Sequence, residues 1–148
     1  MQSYENNLLS LSNAVGAALN TKVKLFVSCD IRKKVKKKIQ DEFLPDEYIK
    51  EKGIILCLSQ DKMFIFNKTC NKIKFSFEIN MLREIIVNRN NNSSILIILT
   101  KDIYYKNRRI PYIYLSMTNR QNVLLNLMSV YSTYNAIKYG KLIELPIK

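Results

Sequence analysis

Apolar positions recur along this chain with two different periods, and the switch between them divides the sequence. In NNLLSLSNAVGAALN (6–20), Leu8, Leu11, Val15, Ala18 and Leu19 fall at helical spacing, which predicts a modest N-terminal helix. From residue 23 the period drops to two. Val23, Leu25, Val27 and Cys29 alternate with mostly polar neighbours in VKLFVSCDI (23–31), as a half-buried strand requires. GIILCLS (53–59) and KMFIFN (62–67) are apolar runs joined through SQDK, a tight hairpin connection. In KIKFSFEI (72–79), Ile73, Phe75, Phe77 and Ile79 share one face while Lys72, Lys74, Ser76 and Glu78 share the other. Asn67 and Asn71 supply the turn before it. REIIVN (83–88) and SILIILT (94–100), joined through NRNNNSS, make a further hairpin pattern. RRIPYIYLSM (108–117) is the last predicted strand, and Pro111 assigns it to an edge or a bulge because proline cannot donate to a ladder.

The helical period returns in TNRQNVLLNLMSVYSTYN (118–135), where Val123, Leu124, Leu127, Val130, Tyr131 and Tyr134 form one stripe. Thr118 and Gln121 stand at capping-box spacing and predict the helix start. The order is helix, seven strands on mainly short turns, then helix, which excludes a doubly wound α/β fold. The expectation is a mainly β chain: a small seven-stranded antiparallel barrel or sandwich, closed at one end by the C-terminal helix and preceded by a short N-terminal one. The long connection 32–52 leaves room for another helix. Ile31, Val35, Ile39 and Phe43 recur every four residues there, with Asp30 available as its cap.

A length of 148 residues indicates one domain, and 47% apolar content excludes global disorder. No apolar run approaches the roughly 18 residues a bilayer span needs. The first thirty residues lack a signal-peptide pattern, and Gln2 occupies the position where myristate needs glycine. These features predict a cytoplasmic chain whose membrane contact, if any, is peripheral. Cys29, Cys57 and Cys70 form an odd set without a close pair, which predicts reduced, partly buried thiols and no zinc site.

The chain contains no His, which removes the commonest general base and the commonest metal ligand. Gly16, Gly53 and Gly140 are too far apart for a glycine-rich phosphate loop. The five acids of DEFLPDEYIKE (41–51) follow a basic run and read as local charge compensation. The expectation is a protein that is not an enzyme and needs no cofactor or metal. A net charge of +12 points instead to an anionic partner. Lys, Asn, Ile and Tyr are all abundant here and are favoured by A/T-rich codons, so total charge alone decides little. Charge acquired by drift would be scattered, and position must therefore carry the argument.

GIILCLSQDKMFIFN (53–67), KIKFSFEINMLREIIVN (72–88), SILIILT (94–100) and the helix at 118–134 together resemble the pleckstrin-homology superfold. The order looks most like the tail-homology domain of class I myosins, in which LFVSCDIRKKVKKK (25–38) would be the first strand and its basic exit. The resemblance covers roughly residues 22–135. It implies an N-terminal helical extension (1–21), a pleckstrin-homology-like domain (22–135) and a C-terminal tail (136–148). Many members carry a Trp in the last helix; this chain has none.

The resemblance also implies that headgroup phosphates bind at the open end of the barrel, on the loops joining strands one to two, three to four and six to seven. Here these are 32–52, 67–72 and 101–109. They hold Arg32, Lys33, Lys34, Lys36, Lys37 and Lys38, then Lys68 and Lys72, then Lys101, Lys106, Arg108 and Arg109. Connectors at the other end hold fewer cations: Lys62, Arg83 and Arg89. The expected partner is an anionic membrane lipid, a phosphoinositide or phosphatidylserine/phosphatidic acid, with the protein peripheral at a cytosolic membrane face. A first alternative is a protein-interaction scaffold using the N-terminal helix or the acidic 41–51 segment. The second is RNA binding through YYKNRRIPYIY (104–114), although Tyr112 and Tyr114 share one strand face and suit packing better than base stacking.

Overall fold

The computed structural model describes residues 4–32, 49–87, 92–105 and 107–148. Its elements are α1 (Tyr4–Leu19), β1 (Leu25–Arg32), β2 (Ile49–Leu58), β3 (Lys62–Phe66), β4 (Ile73–Glu78), a single 3-10 turn (Ile79–Met81), β5 (Leu82–Val87), β6 (Ser94–Tyr105), β7 (Arg108–Ser116) and α2 (Arg120–Tyr139). The strands form one seven-stranded antiparallel sheet in the order β4-β3-β2-β1-β7-β6-β5. This mainly β arrangement, with a helix at each end of the chain, fits a pleckstrin-homology-like sandwich and agrees with the expected fold class.

Two wings meet at β1 and β7, which among the described residues pair at Asp30–Ser116 and Ile31–Leu115. The wings curl toward each other, so that β4 approaches β6 although the two are not neighbours in the sheet. Between them lies one apolar core. β2 contributes Ile54, Leu56 and Leu58, and β3 and β4 contribute Met63, Ile65, Phe75 and Phe77. The other wing contributes Ile85, Ile95, Ile97, Ile113 and Leu115. The predicted stripe of α2 closes this core with Val123, Leu124, Leu127, Val130 and Tyr134. Tyr134 Oη also donates to Glu78 Oε2 at 3.1 Å and accepts from Lys138 Nζ at 2.8 Å, tying the helix to the end of β4.

The unbroken apolar run in β2 has a simple cause: both faces are covered. Ile55 and Cys57 point away from the main core and, with Phe64 and Phe66, form a second cluster under Val15 of α1. Strands buried on both faces lose the alternation seen in half-exposed ones. The N-terminal helix is thus a packed layer of the domain. Cys29 and Cys57 lie inside, and burial pushes the Cys57 thiol up to about 12 and that of Cys29 higher still. Cys70 is partly exposed, and burial raises its thiol as well.

Four local expectations need correction or refinement. Asn119, rather than Thr118, caps α2: its Oδ1 accepts from the Asn122 N–H at 3.1 Å. Asn is the better N-cap of the two. Helix α2 also continues past 134 to Tyr139, crossing the boundary at 135–136 before Gly140 (φ 66°) ends it. Asp30 caps no helix. It lies within β1, and its Oδ1 accepts from Gly53 N–H at 2.9 Å; the rest of the proposed helix, 33–43, lies outside the described residues. Of the two readings of Pro111, the bulge holds: β7 is an inner strand, and Pro111 faces the register break in β6 between Ile98 and Ile103.

Leu124→Ala and Leu127→Ala should each destabilise the protein by about 2–5 kcal/mol. Urea denaturation monitored by circular dichroism measures this, with Leu127, which has no exposed surface, the costlier site. Two near-neutral results would mean that α2 does not close the core. Native protein treated with iodoacetamide at pH 8 should be alkylated first at Cys70, because the thiolate is the reactive form and Cys29 and Cys57 are buried as neutral thiols. Peptide mass spectrometry reads the order, and early modification of Cys29 would contradict the packing.

Candidate functional site

Strand register brings three connections to one end of the sheet. Arg32 lies opposite Ile49, and Ile55 lies opposite Phe66, so the exits of β1 and β3 face the same way. Antiparallel pairing of β1 with β7 carries the Tyr105–Arg108 tip of the last hairpin to that end too. Helix α2 packs on the 3-10 turn at the other end, where Ile79 N–H also binds the Asp61 carbonyl at 2.8 Å. The three connections that the resemblance groups therefore leave the sheet on one side, but the expected loop bounds need correction: β2 begins at Ile49 and β6 runs on to Tyr105, so Lys101, Arg108 and Arg109 lie on strands.

The β3–β4 turn is built around Asn67. Its Oδ1 accepts from the backbone N–H groups of Asn71 and Lys72 at 3.1 and 3.2 Å, and its Nδ2 bonds the Asn71 side chain. Cys70 takes a left-handed φ of 61°, and its N–H returns to the Asn67 carbonyl at 3.0 Å. A side-chain oxygen standing in for backbone acceptors holds the turn closed. Lys68 and Lys72 project from it into solvent. The aliphatic stem of Lys68 lies over Gly53, 3.6 Å from where a Cβ would stand.

Gly53 adopts φ 72° at an irregularity in the β1–β2 register, anchored by the Asp30 carboxylate. The exposed Lys52 precedes it, so this bulge adds a third lysine beside the turn. Sequence reasoning passed over Lys52. The Lys-Gly pair is a signal only once Gly53 is known to sit at a bulge next to Lys68.

The remaining candidates behave differently from one another. Arg32 is buried, with 5% of its surface exposed, and its guanidinium carbon lies 5.9 Å from the Tyr114 ring centroid. That is cation–π range, and it places the charge within the rim of the sheet. Arg109 is well exposed but its Nε meets Asp102 Oδ2 at 2.7 Å, so part of its charge is already matched. Lys101 is exposed on the β6 irregularity beside that pair. Arg108 lies on β7 opposite Tyr105, its side chain outside what is described. Lys33, Lys34, Lys36, Lys37, Lys38 and Lys106 all lie outside the described residues, as does the acidic stretch up to residue 48. Glu51, at the end of that stretch, pairs with Lys74.

Aromatic placement does not build a stacking platform for bases. Tyr114 is buried at 2% exposure, and Tyr112 is half-buried, its phenol raised by desolvation. Tyr104 is exposed. Among the described residues no group of three His, Cys, Asp or Glu side chains could hold a metal ion, and no helix is long and apolar enough to cross a membrane.

No protein-family model matches this chain, and no curated protein sequence matches it. A solved structure, the C-terminal domain of an unknown protein from Leishmania infantum, is similar to it with a TM-score of 0.51 at 12% identity, over 82% of this chain and 94% of that one. At that identity the likeness is one of fold alone.

Proposed function

We propose that this chain is a non-enzymatic module that docks peripherally on the cytosolic face of membranes by binding anionic lipid headgroups. The observation that carries this reading is the set of exposed lysines, Lys52, Lys68 and Lys72, on a fixed turn and bulge at the end of the sheet away from α2. β1 ends on that side at Arg32, which the basic run 33–38 follows in sequence, and Arg109 adds a partly matched charge from the last hairpin. Each cation near an anionic leaflet contributes roughly 1 kcal/mol, screened over about 8–10 Å. Four to six engaged cations then suffice for reversible recruitment without a lipid anchor. Lysine ammonium groups attract as point charges, so the described set favours anionic surface density over recognition of one headgroup. The buried Arg32 acts in this reading by holding the rim, beneath the groups that meet lipid.

Co-sedimentation with neutral, phosphatidylserine and phosphoinositide vesicles tests the reading. Lys36→Glu, Lys37→Glu and Lys38→Glu together should abolish binding to anionic vesicles with the melting temperature nearly unchanged. Lys68→Glu with Lys72→Glu should weaken the same binding several-fold, whereas Lys62→Ala with Arg83→Ala at the opposite end should not. Equal losses from both pairs would mean a diffuse cloud of charge and no site. In direct competition, anionic vesicles should displace the protein from single-stranded RNA of equal charge; preferential retention on RNA would overturn the proposal.

A further inference from the structure

β5 is an edge of the sheet, and its free side is covered by a short segment of the same chain. Beyond Gly140 the backbone turns back, with Ser132 Oγ donating to the Ile143 carbonyl at 3.2 Å. Residues 141–144 are exposed, Leu142 at 92%. Leu145 then enters the main core at 3% exposure. Ile85 N–H donates to the Pro146 carbonyl at 2.9 Å, Lys148 N–H to the Ile85 carbonyl at 2.9 Å, and Val87 N–H to the Lys148 carbonyl at 3.0 Å. Ile147 sits beside Ile85 in a single parallel bridge, and Lys148 Nζ reaches Glu84 Oε2 at 2.8 Å.

This segment satisfies the edge, and its hold rests on one buried side chain, Leu145, on three backbone bonds and on one ion pair. Parallel pairing is the weaker kind of ladder, and here it is one bridge long. Its ion pair has an exposed lysine, the kind that adds little to stability. Its connector is exposed throughout. Elements with few buried contacts open locally, well below the free energy of global unfolding. Opening would free the N–H groups of Ile85 and Val87 and the Ile85 carbonyl along one edge, beside the socket left by Leu145. An uncovered edge of that kind is a template for another extended segment.

We infer that the β5 edge is a docking groove for an extended peptide of another protein, bearing two apolar residues two positions apart followed by a basic one, and that residues 145–148 occupy it in cis as a displaceable competitor. The spacing comes from Leu145 and Ile147, which alternate as strand neighbours must. The basic residue comes from Glu84, which accepts Lys148; that contact holds the Glu84 carboxyl below its usual range. Backbone pairing supplies affinity, and the Leu145 socket together with Glu84 supplies selectivity.

The test uses the chain 1–148 and a fluorescent peptide, IELPIK, copied from residues 143–148. Leu145→Asp with Ile147→Asp should weaken the internal segment and raise peptide affinity at least tenfold over the unaltered chain, read by fluorescence anisotropy. Amide shifts should move at Ile85 and Val87, and adding Glu84→Lys should reverse the gain. A folded variant that binds the peptide no better than the unaltered chain would overturn the inference. So would a variant that fails to fold, since the segment would then be an indispensable part of the core. Hydrogen exchange on the unaltered chain gives an independent reading. The Ile85 and Val87 amides should exchange faster than the bonded amides of β6 and β7, and exchange only through global unfolding would exclude a displaceable segment.

Discussion

Among the described residues, two pairs join the wings of this sheet, Asp30–Ser116 and Ile31–Leu115, and the core between the wings carries the rest. Two backbone pairs by themselves do not hold two curled halves in place. The shared apolar core must do so, because burial rewards any arrangement that brings the inner faces of both wings together. That core draws on all seven strands, which is why α2 must close it: without Val123, Leu124 and Leu127 the space between the wings would open to water. The same constraint accounts for α1. β2 and β3 carry apolar side chains on both faces, and Val15 with its neighbours covers the face turned away from the core.

Closing one end of the sandwich with α2 leaves the other to its loops, where Lys52, Lys68 and Lys72 are exposed. The cations at that end are not equivalent. Lys52, Lys68 and Lys72 stand on backbone fixed by Asn67 and by the Asp30–Gly53 bond, so their stems start from defined positions while their ammonium groups stay in water. Arg32 and Arg109, the side chains best suited to gripping a phosphate, are committed elsewhere, one against Tyr114 and the other to Asp102. Under the proposed lipid-binding reading, a surface of lysines backed by engaged arginines suits charge density more than headgroup shape. Edges pose the other problem of an open sheet. β5 is covered by the chain itself through three backbone bonds, one ion pair and the buried Leu145.

The order of the elements was legible in the amino-acid sequence because periodicity is a local property. Ile54 through Leu58 read as strand, and Val123 to Tyr134 read as helix, whatever they pack against. Which loops share an end was not legible in hairpin order, since strict alternation would send the β6–β7 tip to the opposite end; the placement of β7 beside β1 decided it, and with it the position of Arg109 relative to Lys68 and Lys72. Pro111 announced an edge or a bulge because its missing N–H is a local fact, and the inner position of β7 made it the bulge. What only the tertiary structure decided is everything set by partners distant in the chain. Whether a cation is exposed depends on its neighbours in space: Arg32 meets Tyr114, and Arg109 meets Asp102. Lys52 became part of a cluster only because the Asp30 carboxylate holds Gly53 beside Lys68. A segment with no strand pattern, 145–148, was drawn onto β5 because an edge there lacked hydrogen-bond partners. Sequence period fixes what a segment can become; contact across the fold fixes which of its groups remain free to bind.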